Sequence, residues 1–159
     1  MDKAQPFGLS LMRIMFRNFL AIAAICLPVA ACSDETRATM RTAEGKAHQF
    51  SIELVDTAET RAQGLMFRQK LAPDAGMLFD FQEERQVAFW MRNTFIPLDM
   101  LFIAADGTVR NIHVNARPQD PTTIPSDGPV RFVLEIPGGR SLELGLAAGD
   151  TMEHPRVKQ

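Results

Sequence analysis

The sequence predicts a β-rich α+β domain, with mostly antiparallel strands curled into a barrel- or sandwich-like sheet and one or two short helices. Three observations carry this. Apolar and polar residues alternate with period two in several short stretches, most cleanly at Phe50, Ile52, Leu54 and at Val130, Phe132, Leu134, Ile136. Turn signals recur at close spacing, and Asp106-Gly107 is the strongest of them for a hairpin. One stretch alone, Thr57 to about Phe67, combines helical spacing with a start signal.

The elements follow in chain order. Phe50, Ile52 and Leu54 alternate with Ser51 and Glu53, the mark of a half-buried strand. Asp56 precedes Glu59 by three residues, a capping-box pattern, and Ala58, Ala62, Leu65 and Met66 then fall at helical spacing. Gly64 lies inside this stretch, and Pro73 ends the region. Gly76 to Phe81 reads as a short apolar strand. Val87 to Met91 is apolar on both faces, which suggests a central strand. Asn93 to Pro97 turns the chain, and Leu98 to Ile103 runs back, apolar except for Asp99. Thr108 to Val114 is the return strand of the Asp106-Gly107 hairpin. Residues 116–129 are rich in proline and show no pattern. Val130 to Ile136 is the last clear strand, and Gly138-Gly139 leads into one or two helical turns over Ser141 to Leu146.

The first 31 residues read as a signal peptide. Lys3, Arg13 and Arg17 precede the apolar run Phe19 to Ala31, which at 13 residues is short of the ~20 a spanning helix needs. Val29-Ala30-Ala31 before Cys32 resembles the bacterial lipoprotein box, in which that cysteine is acylated and becomes the mature N-terminus. Ordinary cleavage after Ala31, giving a soluble periplasmic protein, is the alternative. The expected location is the periplasm-facing cell envelope, with a lipid anchor in the membrane. Residues 33–47 are polar and aperiodic and read as a flexible tether reaching roughly 20 Å. The domain is expected over residues 48–152, with a tail at 153–159.

Composition excludes several classes. The chain has 159 residues and a formal charge of −2, so it carries no large basic field for nucleic acid. Loss of residues 1–31 leaves 14 basic and 18 acidic residues, net −4. Cys26 leaves with the signal, and an acylated Cys32 has no thiol. The domain therefore has neither thiol chemistry nor a disulfide and must be held by its core. His48, His113 and His154 lack metal-ligand spacing, so neither a metal site nor a cofactor is expected. Met66, Met77, Met91 and Met100 sit in apolar stretches and read as core. Gly138-Gly139 reads as a helix entry with special backbone angles rather than an anion cradle.

Five stretches together resemble one bacterial and archaeal family. They are Gly64-Leu-Met-Phe-Arg68, Gly76-Met-Leu-Phe79, Phe89-Trp-Met-Arg-Asn-Thr94, Ile96-Pro-Leu-Asp99 and Leu134-Glu-Ile-Pro-Gly138. The family is domain of unknown function 192, and the resemblance spans about residues 48–152. It implies a compact β-rich fold and frequent export, and no established activity.

The candidate chemistry rests on two carboxylates. Asp99 shares a face with Leu101 and Ile103, and Glu135 lies beside Val133, so both are expected to be buried. A buried carboxylate costs several kcal/mol unless it is hydrogen-bonded or paired. Arg68, Arg92 and Arg131 are candidate partners, with Asn93 and Thr94 as neutral donors. The commoner outcome is structural, with each carboxylate accepting bonds from turn amides and locking the Asn93–Pro97 loop. Trp90 is the single Trp; such a residue is more often core, but beside Arg92 at a strand end it also suits a ligand platform. The leading expectation is a tethered binding module, not an enzyme. It would take a small polar molecule, glycan or protein partner near Trp90, Arg92, Asn93, Thr94, Asp99 and Glu135. The rivals are a hydrolase using Asp99 and Glu135 as acid and base, which needs them facing one cleft, and a purely structural envelope protein with no cleft.

Overall fold

The computed structural model describes residues 34–157. Residues 1–31 and Cys32, where the signal and the lipidation site are expected, lie outside the described residues. Nine strands and two short helices follow in the order β1 (Arg37–Arg41), β2 (Ala47–Val55), α1 (Ala58–Gln63), β3 (Ala75–Arg85), β4 (Ala88–Phe89), β5 (Leu98–Ile103), β6 (Val109–Ala116), β7 (Ile124–Pro125), β8 (Val130–Pro137), α2 (Arg140–Leu144) and β9 (Thr151–Glu153).

Seven strands form one sheet in the order β6-β5-β8-β3-β2-β1-β9. Every pairing is antiparallel except β2 with β3. That parallel pair is joined by α1 as a crossover, because parallel neighbours cannot be linked by a tight turn. The sheet curls into a half-barrel. Its outer strands approach at one end, where Thr108 bridges Thr151 and the Met152 amide donates to the Gly107 carbonyl at 2.8 Å. Gly107 is required there: it has φ +89°, and a Cβ would stand 2.6 Å from that same part of the chain, the Met152 oxygen. Strands β4 and β7 form a separate two-stranded ribbon.

The curl creates two apolar layers. Met40, Phe50, Leu78, Leu101, Phe132 and Leu134 fill the inside. Phe79, Met91, Met100, Phe102 and Val133 form a second layer on the other face. Strand β5 is buried at every residue because it contributes to both layers. Each fully buried Phe or Leu contributes about 1.5–3 kcal/mol, so two layers suffice without a staple.

Several expectations need correction. The expected tether contains β1, whose Ala38 and Met40 are wholly buried between β2 and β9. Those two apolar residues alternate with Arg37, Thr39 and Arg41, but five residues is a weak signal among polar neighbours. The expected C-terminal tail begins inside β9, and its His154 is buried. Val87 to Met91 is not a central strand: only Ala88 and Phe89 pair, with β7, and the central strand of the main sheet is β3. The helix is capped by Thr57 and Thr60, not by Asp56 and Glu59, and Gly64 ends it rather than lying within it.

Candidate functional site

A cavity of about 310 Å³ opens on the outer apolar layer, between α1, the far half of β3, β4 and β8. Its walls are largely aromatic. Phe89 meets Phe79 edge to face at 5.0 Å and Phe81 at 6.3 Å. Trp90 continues the wall outward and is 49% exposed. Leu65 and Met66 close the opposite side. The chain reaches this side through Gly64, at φ +48°, where a Cβ would stand 3.1 Å from the Phe79 ring. Any larger residue would push into the cavity wall.

Glu135 lies on this wall and is 4% exposed. It sits mid-strand in β8, flanked across the sheet by Met77 and Met100. Neither can donate a strong hydrogen bond, and no side chain or amide among the described residues bonds its carboxyl. The carboxyl is nevertheless not sealed in, since among the described residues the one fully enclosed side-chain polar atom without a partner is His48 Nε2. Its opening is therefore the cavity. Burial pushes the Glu135 carboxyl up to about 8, so it is mostly protonated at neutral pH.

Two guanidinium groups line the mouth. Arg61 and Arg85 pack against the Phe81 ring, their central carbons 5.2 and 4.8 Å from its centre. Arg61 is oriented by Nη1, which donates to the carbonyls of Asp56 and Asp80. Among the described residues, neither arginine forms an ion pair.

The candidate residues separate. Trp90, Thr94 and Glu135 line this cavity. Arg92 lies over the Trp90 ring at 5.3 Å, and Asn93 reaches the Met66 sulfur at 3.9 Å. Asp99 is elsewhere. It pairs with Ile136 across β5–β8, whereas Glu135 pairs with Met100, so the two carboxylates face opposite sides of the sheet. The acid/base reading that joined them is thereby overturned. Asp99 is wholly buried and saturated: it accepts from the amides of Asn115, Gly139 and Ser141, each at 2.7 Å, and from the Ser141 hydroxyl at 2.6 Å. It locks the entry to α2 rather than the Asn93–Pro97 loop. Gly139, at φ +83°, supplies the backbone turn there. None of the arginines proposed as partners serves either carboxylate: Arg68 pairs with Glu53, Arg131 with Asp80, and Arg92 stacks on Trp90. The expectation of a core Trp90 is corrected by its exposure.

An ion network surrounds the buried Asp80. Arg131 grips both Asp80 carboxylate oxygens, at 3.0 and 3.1 Å. Arg156 joins Asp80, Asp56 and Glu35, which ties both ends of the described segment to β3. Burial opposes the Asp80 charge, but the Arg131 fork, the Gln82 amide and Arg156 outweigh it and hold the carboxyl below its ordinary range. The available signal was an acid between Phe79 and Phe81. A second, wider concavity beside β9 offers less, because its Asp106, Glu153 and His154 are spent on Thr108, Arg41 and Glu35. Among the described residues no three His, Cys, Asp or Glu side chains gather as metal ligands.

Comparison with known proteins agrees with this architecture. A crystal structure of a protein described as a "putative transcription regulator", from Sinorhizobium meliloti 1021, is 50% identical. The match has a TM-score of 0.73 and covers 74% of this chain and 92% of that one. A protein of unknown function from Novosphingobium aromaticivorans DSM 12444 is 44% identical with a TM-score of 0.71, over 74% of this chain and 83% of that one. No curated protein matches. The family profile described as "Uncharacterized ACR, COG1430", domain of unknown function 192, matches residues 39–154. Four of the five sequence stretches that resemble this family contribute to the aromatic cavity, and by that profile the chain belongs to the domain of unknown function 192 family.

Proposed function

We propose that the protein is an exported binding module that holds a small molecule in the aromatic cavity, against Glu135. One observation carries this reading: a carboxyl 4% exposed, without a partner among the described residues, lines that cavity. Protein interiors seldom leave such a group unmade, because the unpaired polar group costs about 1–3 kcal/mol. A ligand that bonds Glu135 would remove that cost. A purely structural envelope protein has no need of the cavity or of the exposed Trp90. The likeness to a "putative transcription regulator" adds little support for DNA binding here. The chain is net negative, and the two helices among the described residues are six and five residues long, short for a groove reader.

The proposed location is the periplasm-facing envelope, with Cys32 acylated. Asp34 already bonds the Thr36 amide and pairs with Arg37, so only Ser33 separates Cys32 from ordered chain. The domain would sit directly on the membrane surface. Mass spectrometry of the mature N-terminus is expected to find an acylated Cys32, and an unmodified cysteine would refute the anchor.

The binding reading is tested by a thermal-shift screen of small polar molecules on the purified protein. The expected result is a hit whose shift disappears in Trp90→Ala and in Glu135→Gln. Hits that persist in both variants would move the site elsewhere.

A further inference from the structure

The cavity is dipolar. Among the described residues, Glu135 is the only acid lining it, and Arg61 and Arg85 at the mouth are the only bases. The groups beside Glu135 across the sheet, Met77 and Met100, are uncharged. Between the two ends stand the rings of Phe79, Phe81, Phe89 and Trp90.

Each simple ligand class meets an obstacle. A plain anion suits the arginines but would bring its charge or its apolar body toward an unpartnered carboxyl. A plain cation suits Glu135 and the negative faces of the rings, but must pass two guanidinium groups. A neutral apolar molecule leaves both ends unsatisfied.

We propose that the cavity binds a small zwitterion, with its ammonium group among the rings against Glu135 and its carboxylate or phosphate between Arg61 and Arg85. This rests on the reading of the cavity as a binding site and assigns that site a ligand class. Aromatic cages are the general means of holding quaternary ammonium groups, and an adjoining carboxylate supplies the counter-charge. Both arginines lie against the Phe81 ring at the mouth, which keeps their two positive charges within about 10 Å of each other, the two ring distances laid end to end. Arg61 is already held in place by the Asp56 and Asp80 carbonyls, so little order is lost when it binds. The volume admits about ten non-hydrogen atoms, at the ~30 Å³ that a water occupies in the liquid. That is the size of a trimethylammonium group joined by a short chain to an anion.

Calorimetric titration of the purified protein with glycine betaine tests this, with tetramethylammonium and butyrate as single-charge controls. Phosphocholine and phosphatidylcholine vesicles then distinguish a free zwitterion from a lipid headgroup. The zwitterion is expected to bind at least tenfold more tightly than either control. Its affinity should rise about ninefold from pH 6 to 7 and about fivefold from pH 7 to 8, because Glu135 must release its proton to meet the ammonium, which does not itself titrate. Glu135→Gln should abolish that pH dependence and weaken binding at pH 8 at least tenfold. Arg85→Met should weaken betaine binding and spare tetramethylammonium. Equal binding of a single-charge control, or affinity that falls as pH rises, overturns the zwitterion while leaving the cavity a binding site. So does failure of betaine where another hit from the thermal-shift screen is lost in Glu135→Gln. Betaine binding unchanged in both Glu135→Gln and Trp90→Ala overturns the cavity as well.

Discussion

Asp99 and Glu135 lie on neighbouring strands one residue out of register, and that single step puts them on opposite faces of the sheet. Asp99 faces inward with Ile136 and is saturated by four hydrogen bonds. Glu135 faces outward with Met100 and has none. Two acids that look alike in sequence thus have different work: one holds a turn, and the other is left open to a cavity.

Asp99→Ala should therefore be a stability mutation. It orphans the buried amide and hydroxyl of Ser141 and the part-buried amides of Gly139 and of Asn115 in β6, a loss of about 3 kcal/mol. Denaturant unfolding should show a lower midpoint, while any ligand of the aromatic cavity still binds below the transition. Unchanged stability would remove Asp99 from the structural role.

Glu135 should make the fold less stable as pH rises. Its folded value near 8 lies above the ordinary 4.5, so between those values the unfolded chain sheds a proton that the folded chain keeps. Stability falls through that window by at most about 1.4 kcal/mol per pH unit and levels off above pH 8. Glu135→Gln should flatten the slope and gain stability over the native chain at pH 8, with little difference at pH 5. Unfolding curves at the two pH values check this.

Asp80 runs the other way. Its folded value lies below 3.8, so the stability it contributes is present above that pH and is lost as pH falls through the folded value. Arg131→Ala leaves the Asp80 charge buried beside Arg156 alone and should cost about 3–5 kcal/mol at neutral pH. The cost should shrink in acid. A neutral-pH loss below about 1 kcal/mol would show that the fork contributes little.

The β1 strand gives a fourth test. Met40 is wholly buried, so Met40→Ala should cost about 2–5 kcal/mol, whereas a residue in a flexible tether would cost nothing measurable. The midpoint of denaturant unfolding decides between them.

The legibility of this chain follows from length and contrast. The half-buried β2 and the largely apolar β5 and β8 are readable because their patterns run for six residues or more. Strands β1 and β9, of five and three residues, have too few alternations to stand out, yet they complete the sheet. The ribbon of β4 and β7 escaped because an apolar stretch reads the same whether it pairs centrally or covers a neighbouring layer. Glu135 was visible as an acid among apolar residues. Its lack of a partner was not, because that depends on which side chains β3 and β5 bring alongside. The arginines were misassigned for the same reason: a partner is chosen by tertiary distance, and the acid awaiting Arg131 was Asp80, 51 positions away.

Among the described residues Glu135 has no partner at the cavity, and it keeps its proton at neutral pH. The most direct test is the carbon-13 signal of its side-chain carboxyl, identified by its absence in Glu135→Gln and followed with pH in the ligand-free protein. A midpoint near 8 is expected. A midpoint at or below the ordinary 4.5 would mean that the carboxyl is solvated or already paired, and would contradict this.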